Sequence, residues 1–108
     1  MQWEADAMQM TGLAGLEANA DEAARFLKLL ANEQRLLILC HLVGNGEMTV
    51  NALADAVDLS QSALSQHLAR LREDGLVKFR RDAQTLHYRV ADPRAVRLLK
   101  TLKQVFCR

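Results

Sequence analysis

The segment from Thr49 to Val90 constrains the fold most, because its hydrophobic period changes from that of a helix to that of a strand. Apolar residues recur every three or four positions in residues 49–57 and 61–74, which predicts two short amphipathic helices. Apolar and polar residues alternate in residues 76–80 and again after the polar turn 81–84, which predicts a two-stranded β-hairpin. The segment therefore has the order of a winged helix-turn-helix unit.

Three further helices flank this segment. A stripe of apolar residues predicts a first helix over residues 13–31. Asn32 is a suitable N-cap for a second helix, which we expect to end near Gly44. Asp92 and Pro93 together predict the start of a last helix.

The composition fits a single, mainly α domain. Only five of the 108 residues are glycine and one is proline, which favours helices over a many-stranded fold. We therefore expect a mainly α winged helix-turn-helix fold with five helices and a two-stranded hairpin between the fourth and fifth. Residues 1–12 are expected to form a flexible segment and residues 13–108 a single domain.

The charge is unevenly distributed, although the net charge is only +1. Residues 1–60 contain three bases and nine acids, whereas residues 61–108 contain eleven bases and four acids. Such an asymmetry is expected when one half faces a polyanion, but solvated helix faces can also produce it. The charge pattern alone leaves both interpretations open.

The polar face of the helix predicted over residues 61–74 has the side chains needed to read DNA. Leu64, Leu68 and Leu71 form its narrow apolar stripe. At about 100° per residue, the opposite face carries polar or basic residues: Gln61, Ser62, Ser65, Gln66 and Arg70. Gln can pair with adenine, Ser with several base edges, and Arg with guanine or a phosphate. Ser60 and Thr49, as the N-caps of the two short helices, would bring helix N-termini to phosphates. The alternative is an ordinary solvated helix face.

The predicted hairpin adds positive charge beside this helix. Four basic residues of the hairpin would follow the phosphate backbone or a minor groove, which adds affinity but little sequence information: Lys78, Arg80, Arg81 and Arg89. Arg81, at the predicted tip, is the leading single candidate. His67 lies about 60° from the apolar stripe and is expected to pack or to form a hydrogen bond rather than to read a base.

Three stretches together resemble the ArsR/SmtB family of bacterial repressors: LLANEQRLLILCHL, LADAVDLSQSALSQHLARLREDGLV and RRDAQTLHYRV. The resemblance extends over residues 29–108, and SQSALSQHLARLREDGLV is its most specific part. It implies a winged-helix repressor that occupies double-stranded operator DNA and blocks transcription until an inducer binds. It also implies a homodimer, usually built from the first and last helices, so residues 13–108 are expected to form the domain for DNA binding and dimerisation.

The chain departs from the metal-sensing branch of that family. That branch carries a Cys-x-Cys motif in its second or third helical region, or carboxylates and histidines in its last helix, and this sequence has neither. His41, His67 and His87 lack the spacing of metal ligands. We expect no metal site and no cofactor, and a metal-responsive repressor is kept as an alternative.

The two cysteines, Cys40 in LILCHL and Cys107 in KQVFCR, resemble the dithiol branch of the family, which is persulfide- or redox-sensing and hemolysin-regulator-like. The resemblance implies that a disulfide or polysulfide between them releases DNA, with a small reactive sulfur species or an oxidant as the inducer. Cys40 as a small apolar core residue is the alternative. Some similar regulators are antirepressors, which displace another protein from DNA, and the sequence does not distinguish the two roles.

Other functional classes have less support. The sequence has no phosphate-binding Gly loop, paired carboxylates or Ser/His/Asp arrangement, so we expect no enzyme. A protein-interaction module whose helices only dimerise is a second rival, and it would leave no footprint on DNA. The acids in MQWEADAMQM and the short uncharged run 36–46 predict neither a secretory signal nor a membrane span, and therefore a cytoplasmic protein.

Overall fold

The computed structural model describes residues 11–106, which fall into two compact units that divide after Ala31. The first unit contains helix α1 (Thr11–Leu30), in which Arg25 pairs with Asp21 at 3.2 Å on the exposed surface. The predicted helix over residues 13–31 is thus confirmed, with a start two residues earlier. The rest of the expected flexible segment, residues 1–10, lies outside the described residues.

The second unit contains the elements that the sequence predicted, with one addition. They are, in order, α2 (Glu33–Asn45), β1 (Met48–Thr49), α3 (Val50–Val57), α4 (Gln61–Glu73), β2 (Val77–Asp82), β3 (Thr85–Val90) and α5 (Pro93–Phe106). Strands β2 and β3 form an antiparallel hairpin, and β1 pairs with the other edge of β3. The added strand has only two residues, which is too short for an alternating pattern to be recognised.

Side-chain caps mark where α2 and α3 begin. The Asn32 carboxamide oxygen accepts a hydrogen bond from the Arg35 N–H at 3.0 Å, which starts α2. The Thr49 hydroxyl accepts from Ala52 N–H at 3.2 Å at the start of α3. Each cap satisfies a backbone donor that has no partner within its helix, as predicted for Asn32 and Thr49.

The core of the second unit consists of aliphatic side chains from α2, α3, α4, β2 and α5. Its largest fully buried members are Ile38, Leu39, Leu42, Leu53, Leu64, Leu68, Leu71, Leu76, Val77 and Leu99. Because four helices contribute to one apolar cluster, the position of each helix depends on the others. Among the described helices, none is both long and apolar enough to cross a bilayer.

The hairpin turn is shorter than the sequence predicted. We expected a four-residue turn over residues 81–84, but β2 continues through Asp82, which pairs with Thr85. Only Ala83 and Gln84 connect the strands, and Ala83 adopts a left-handed φ of 57°. Exposed polar side chains such as those of Arg81 and Asp82 are compatible with strand pairing, so their polarity did not predict where β2 ends.

Gly75 ends α4 and turns the chain into β2. Its φ is +77°, in the left-handed region, and the Gly75 N–H donates to Arg72 O at 3.0 Å. The Leu76 N–H donates to Leu71 O at 2.9 Å. These two bonds form a Schellman motif, which favours glycine because a Cβ is strained at this φ.

We predict that Gly75→Ala lowers the free energy of unfolding by about 1–2 kcal/mol, the cost of a left-handed alanine. A Cβ at Gly75 would meet no atom within 4 Å, so the effect isolates backbone strain. Gly44→Ala is the matched control, because Gly44 lies within α2 and a Cβ there also meets no atom within 4 Å. The control should be neutral or stabilising by up to about 1 kcal/mol. Urea unfolding of both variants measures the difference, and equal stabilities would contradict this interpretation.

Candidate nucleic-acid interface

Helix α4 has one buried face and one polar, exposed face. Leu64, Leu68 and Leu71 are each at most 1% exposed. All six residues of α4 and its N-cap that the sequence predicted to contact DNA are exposed: Ser60, Gln61, Ser62, Ser65, Gln66 and Arg70. The helix is therefore held by its leucines while its hydrogen-bonding side chains face solvent.

The turn between α3 and α4 fixes the angle between the two helices. Asp58 adopts a left-handed φ of 54°, and the Leu59 N–H donates to Ala54 O at 3.4 Å. The Ser60 hydroxyl then accepts from Ala63 N–H at 3.1 Å and starts α4. The Ser60 oxygen accepts this bond through a lone pair, so its hydroxyl hydrogen can still be donated to a phosphate.

Asn51 of α3 contacts the first residue of α4. The Gln61 side-chain amide donates a short hydrogen bond to the Asn51 carboxamide oxygen. Gln61 keeps its own oxygen and a second N–H, so it can still form a bidentate contact with a base. Asn51 was not predicted as part of the site, because it faces solvent on a different helix and only the fold brings it to Gln61.

The hairpin divides its basic residues between two faces. Cross-strand partners share a face, so the pairs Lys78–Arg89 and Arg80–His87 lie together on one side. Phe79–Tyr88 and Arg81–Leu86 lie on the other side. The sequence analysis treated the four basic residues of the hairpin as one set, but the structure places Arg81 on the face opposite Lys78, Arg80 and Arg89.

Arg81 shares its face of the hairpin with the side chains that pack toward α4. The Arg72 guanidinium of α4 lies 5.2 Å from the centroid of the Phe79 ring, and the Phe79 and Tyr88 centroids are 5.4 Å apart. A cation over an aromatic face contributes about 0.5–1 kcal/mol at an exposed site. This contact aligns the hairpin with α4. Arg81 lies two residues beyond Phe79 on the same face, nearer to the hairpin turn.

Arg80 is held on the opposite face by a carboxylate. Its Nε donates to both Glu47 carboxylate oxygens at 3.0 Å, and its Nη2 lies 3.0 Å from Oε1. The hydrogen bond from Arg80 lowers the pKa of Glu47 below its ordinary value. This pairing is therefore complete at neutral pH and is lost as the pH falls through that lowered pKa. Opposite charges 33 positions apart carry no sequence signal, so the pair was not predicted.

Cys40 lies in a cleft between α2 and α5. The thiol is half-buried, and the cleft has a volume of about 460 Å³. Its walls include Leu37 and Leu99, with Lys100 and Lys103 on the α5 side. Cys107 lies outside the described residues, four positions beyond Lys103 in the sequence.

The described side chains do not assemble a metal centre. Within residues 11–106, no three His, Cys, Asp or Glu side chains lie close enough together to hold a metal ion. Asp92 directly precedes α5, as predicted from the sequence, and its carboxylate accepts hydrogen bonds from the backbone N–H and the side chain of Arg94. These bonds lower the pKa of Asp92.

Comparison with known proteins agrees with this geometry. Residues 32–78 match the family described as "Bacterial regulatory protein, arsR family". The transcriptional activator HlyU of Vibrio cholerae is 45% identical over 88% of this chain and 87% of its own. The solved structure of reduced HlyU from Vibrio cholerae has a TM-score of 0.80, with 45% identity over 87% of this chain and 98% of that one.

A second solved structure, the transcriptional repressor BigR from Xylella fastidiosa, has a TM-score of 0.83 at 37% identity. The match covers 92% of this chain and 99% of that one. These identities extend over nearly the whole length of each relative, and the structures share the winged-helix fold. The predicted resemblance is thus confirmed, and the chain belongs to the arsR family of bacterial regulatory proteins.

Proposed function

We propose that the protein is a cytoplasmic, sequence-specific transcriptional repressor that binds operator DNA through α4 and the β2–β3 hairpin. The observation that carries this proposal is the amphipathic division of α4, with its leucines buried and its Ser/Gln face exposed. Short polar side chains on a helix that projects from a domain are suited to base edges in a major groove. Arg81 is assigned the main contact between the hairpin and the DNA phosphate backbone. Lys78 and Arg80, on the other face of the hairpin, are assigned contacts at the edge of the interface.

The proposal includes a homodimer. In α1, Leu16 and Leu27 are 55% and 51% exposed. In α5, Val105 and Phe106 are 56% and 78% exposed. Burial of such side chains by a second copy is favourable, and a twofold dimer would present two copies of α4 to half-sites about one helical turn apart.

Release from DNA is assigned to Cys40 and Cys107. A low-molecular-weight persulfide, RSSH, transfers its outer sulfur to the Cys40 thiolate and leaves as RSH. The Cys107 thiolate then attacks the inner sulfur of the Cys40 persulfide and expels hydrogen sulfide, which leaves a disulfide. If both cysteines are first persulfidated, the same attack gives a trisulfide and hydrogen sulfide.

The position of Cys40 supports this role. The half-buried thiol opens into a cleft between α2 and α5, and α5 leads towards Cys107 in the sequence. A bridge would tie α2 to the end of α5 and change the geometry of a dimer built on that helix. Couplings of about 1–3 kcal/mol between two sites change affinity roughly 5- to 150-fold, which is enough for induction.

Two alternatives are kept. The first is an antirepressor, which displaces another protein from DNA; the Vibrio cholerae relative is named a transcriptional activator, and displacement of a repressor is one way to activate transcription. The second alternative is a metal-responsive repressor, although no cluster of three candidate ligands is found within residues 11–106 of one chain. Competition with a second DNA-binding protein and metal titration distinguish these alternatives from repression by thiol chemistry.

We predict different effects of Gln66→Ala and Arg81→Ala on DNA binding. Loss of Gln66 should relax the preference at one base pair by about 1–3 kcal/mol, because a bidentate base contact disappears. Loss of Arg81 should weaken binding to all sequences alike, because a phosphate contact carries no sequence information. Selection from random duplexes, followed by titration against single-base variants, measures both effects.

Asp55→Ala is the control for these two variants, because Asp55 is exposed on α3 and is assigned no contact. The wild-type protein should select an imperfect palindrome. If it selects no sequence, or if Gln66→Ala and Arg81→Ala change specificity identically, the assignment of α4 as the reading helix is wrong.

We also predict that Cys40→Ser binds operator DNA like the wild type but no longer releases it when an organic persulfide is added. Serine preserves the size of the side chain and removes the sulfur nucleophile. Gel shift with and without persulfide measures release, and mass spectrometry of the wild type should find a link between Cys40 and Cys107.

Cys107→Ser is the matched variant and should acquire a persulfide on Cys40 without forming an intramolecular link. Release of DNA from Cys40→Ser at the wild-type persulfide concentration would refute the dithiol mechanism. DNA binding itself would remain as proposed.

A further inference from the structure

A polar cavity lies beside α4, on the side where it faces the beginning of α2. It has a volume of about 250 Å³ and is lined by Asn32, Arg35, Ala63, Gln66, His67 and Arg70. All of them except Ala63 carry side-chain nitrogen atoms that can donate hydrogen bonds, and Arg35 and Arg70 carry positively charged guanidinium groups. The cavity is therefore suited to an anion with several oxygen atoms.

The two arginines of this cavity are available to a ligand. Within residues 11–106, no carboxylate lies within ion-pair distance of the Arg35 guanidinium. Arg70 lies 3.8 Å from Asp74 through its Nε, and its side chain is 68% exposed. An ion pair that long and that exposed contributes little, so a phosphate can compete for Arg70.

The charge in the cavity comes from side chains rather than from the start of α2. The Asn32 carboxamide oxygen already accepts the Arg35 backbone N–H at 3.0 Å. Arg35 stands in the acidic half of the sequence and was not predicted to contact DNA. Only the fold brings Arg35 to the same cavity as Gln66 and Arg70.

The cavity and the hairpin lie on opposite flanks of α4. Arg72 faces the hairpin, because its guanidinium lies over the Phe79 ring. At about 100° per residue, Arg70 and Arg72 point about 160° apart around the helix. Ser62 and Ser65 project between them, on the face proposed to read bases.

DNA bound at the exposed face of α4 would place phosphates on both flanks of the helix, where cations can bind them. The major groove is about 12 Å wide and has a phosphate backbone along each wall, so a helix lying in it has phosphates on both sides. At least half of protein–DNA hydrogen bonds go to phosphates and sugars. The hairpin supplies basic residues for the phosphates of one wall. The cavity offers Arg35 and Arg70 for the phosphates of the other wall.

We propose that Arg35 and Arg70 together bind one phosphate of the DNA strand on the side of α4 away from the hairpin. The inference rests on the proposed DNA-binding function and adds Arg35 and the second strand to it. Arg35 acts as a backbone clamp that fixes how α4 is oriented in the groove, and it reads no base.

Phosphate ethylation interference with the wild-type protein tests the proposal on its selected operator. Ethylation removes the charge of one phosphate at a time, and we expect two clusters of interfering phosphates in each half-site, one on each strand. A single cluster on the hairpin side would overturn the proposal without the need for any variant.

Arg35→Gln should remove the cluster on the strand away from the hairpin and keep the other. It should weaken binding roughly tenfold for each phosphate hydrogen bond that disappears, equally for every sequence. The slope of log affinity against log salt should become shallower by about 0.9 for each phosphate. Arg97→Gln is the matched control, because it removes one exposed charge from α5 and should keep both clusters.

The outcomes separate this inference from the proposed function. If the wild type binds no duplex, the proposed function itself is wrong. If it binds and Arg35→Gln leaves both the clusters and the salt slope unchanged, only the phosphate clamp is wrong. Should Arg35→Gln fail to fold, the interference pattern of the wild type still decides.

Discussion

Burial of Leu64, Leu68 and Leu71 is the interaction on which the rest of the structure depends. These three side chains hold α4 on the core by one narrow stripe, so the remaining surface of the helix is left for solvent and ligand. Each buried leucine contributes roughly 1.5–3 kcal/mol relative to exposure. A wider apolar stripe would bind α4 more firmly, but it would remove the polar positions that a reading helix needs.

Contacts at the ends and the side of α4 fix its orientation relative to α3 and the hairpin. Asn51 contacts its first turn through Gln61, the stack of Arg72 on Phe79 aligns it with the hairpin, and Gly75 releases the chain into β2. Each contact is individually weak, but together they fix the helix relative to both flanking basic surfaces. Such preorganisation matters because ordering these groups at the moment of binding would reduce affinity.

The sequence predicted local features well because they are encoded in neighbouring residues. The caps at Asn32 and Thr49 and the exposed face of α4 follow from spacing alone. The features that it missed arise from residues far apart: β1 on the edge of β3, Glu47 on Arg80, and Arg35 beside Arg70. No period or motif records these contacts, because they exist only once α2, α4 and the hairpin have packed together.

Methylation interference tests most directly whether the Ser/Gln face of α4 lies in a major groove. Dimethyl sulfate modifies guanine N7 in the major groove and adenine N3 in the minor groove, so one experiment reports on both. If α4 lies in the major groove of each half-site, guanine N7 should interfere in two half-sites about one helical turn apart. Interference confined to adenine N3, on a duplex whose half-sites contain guanine, would contradict this placement of α4.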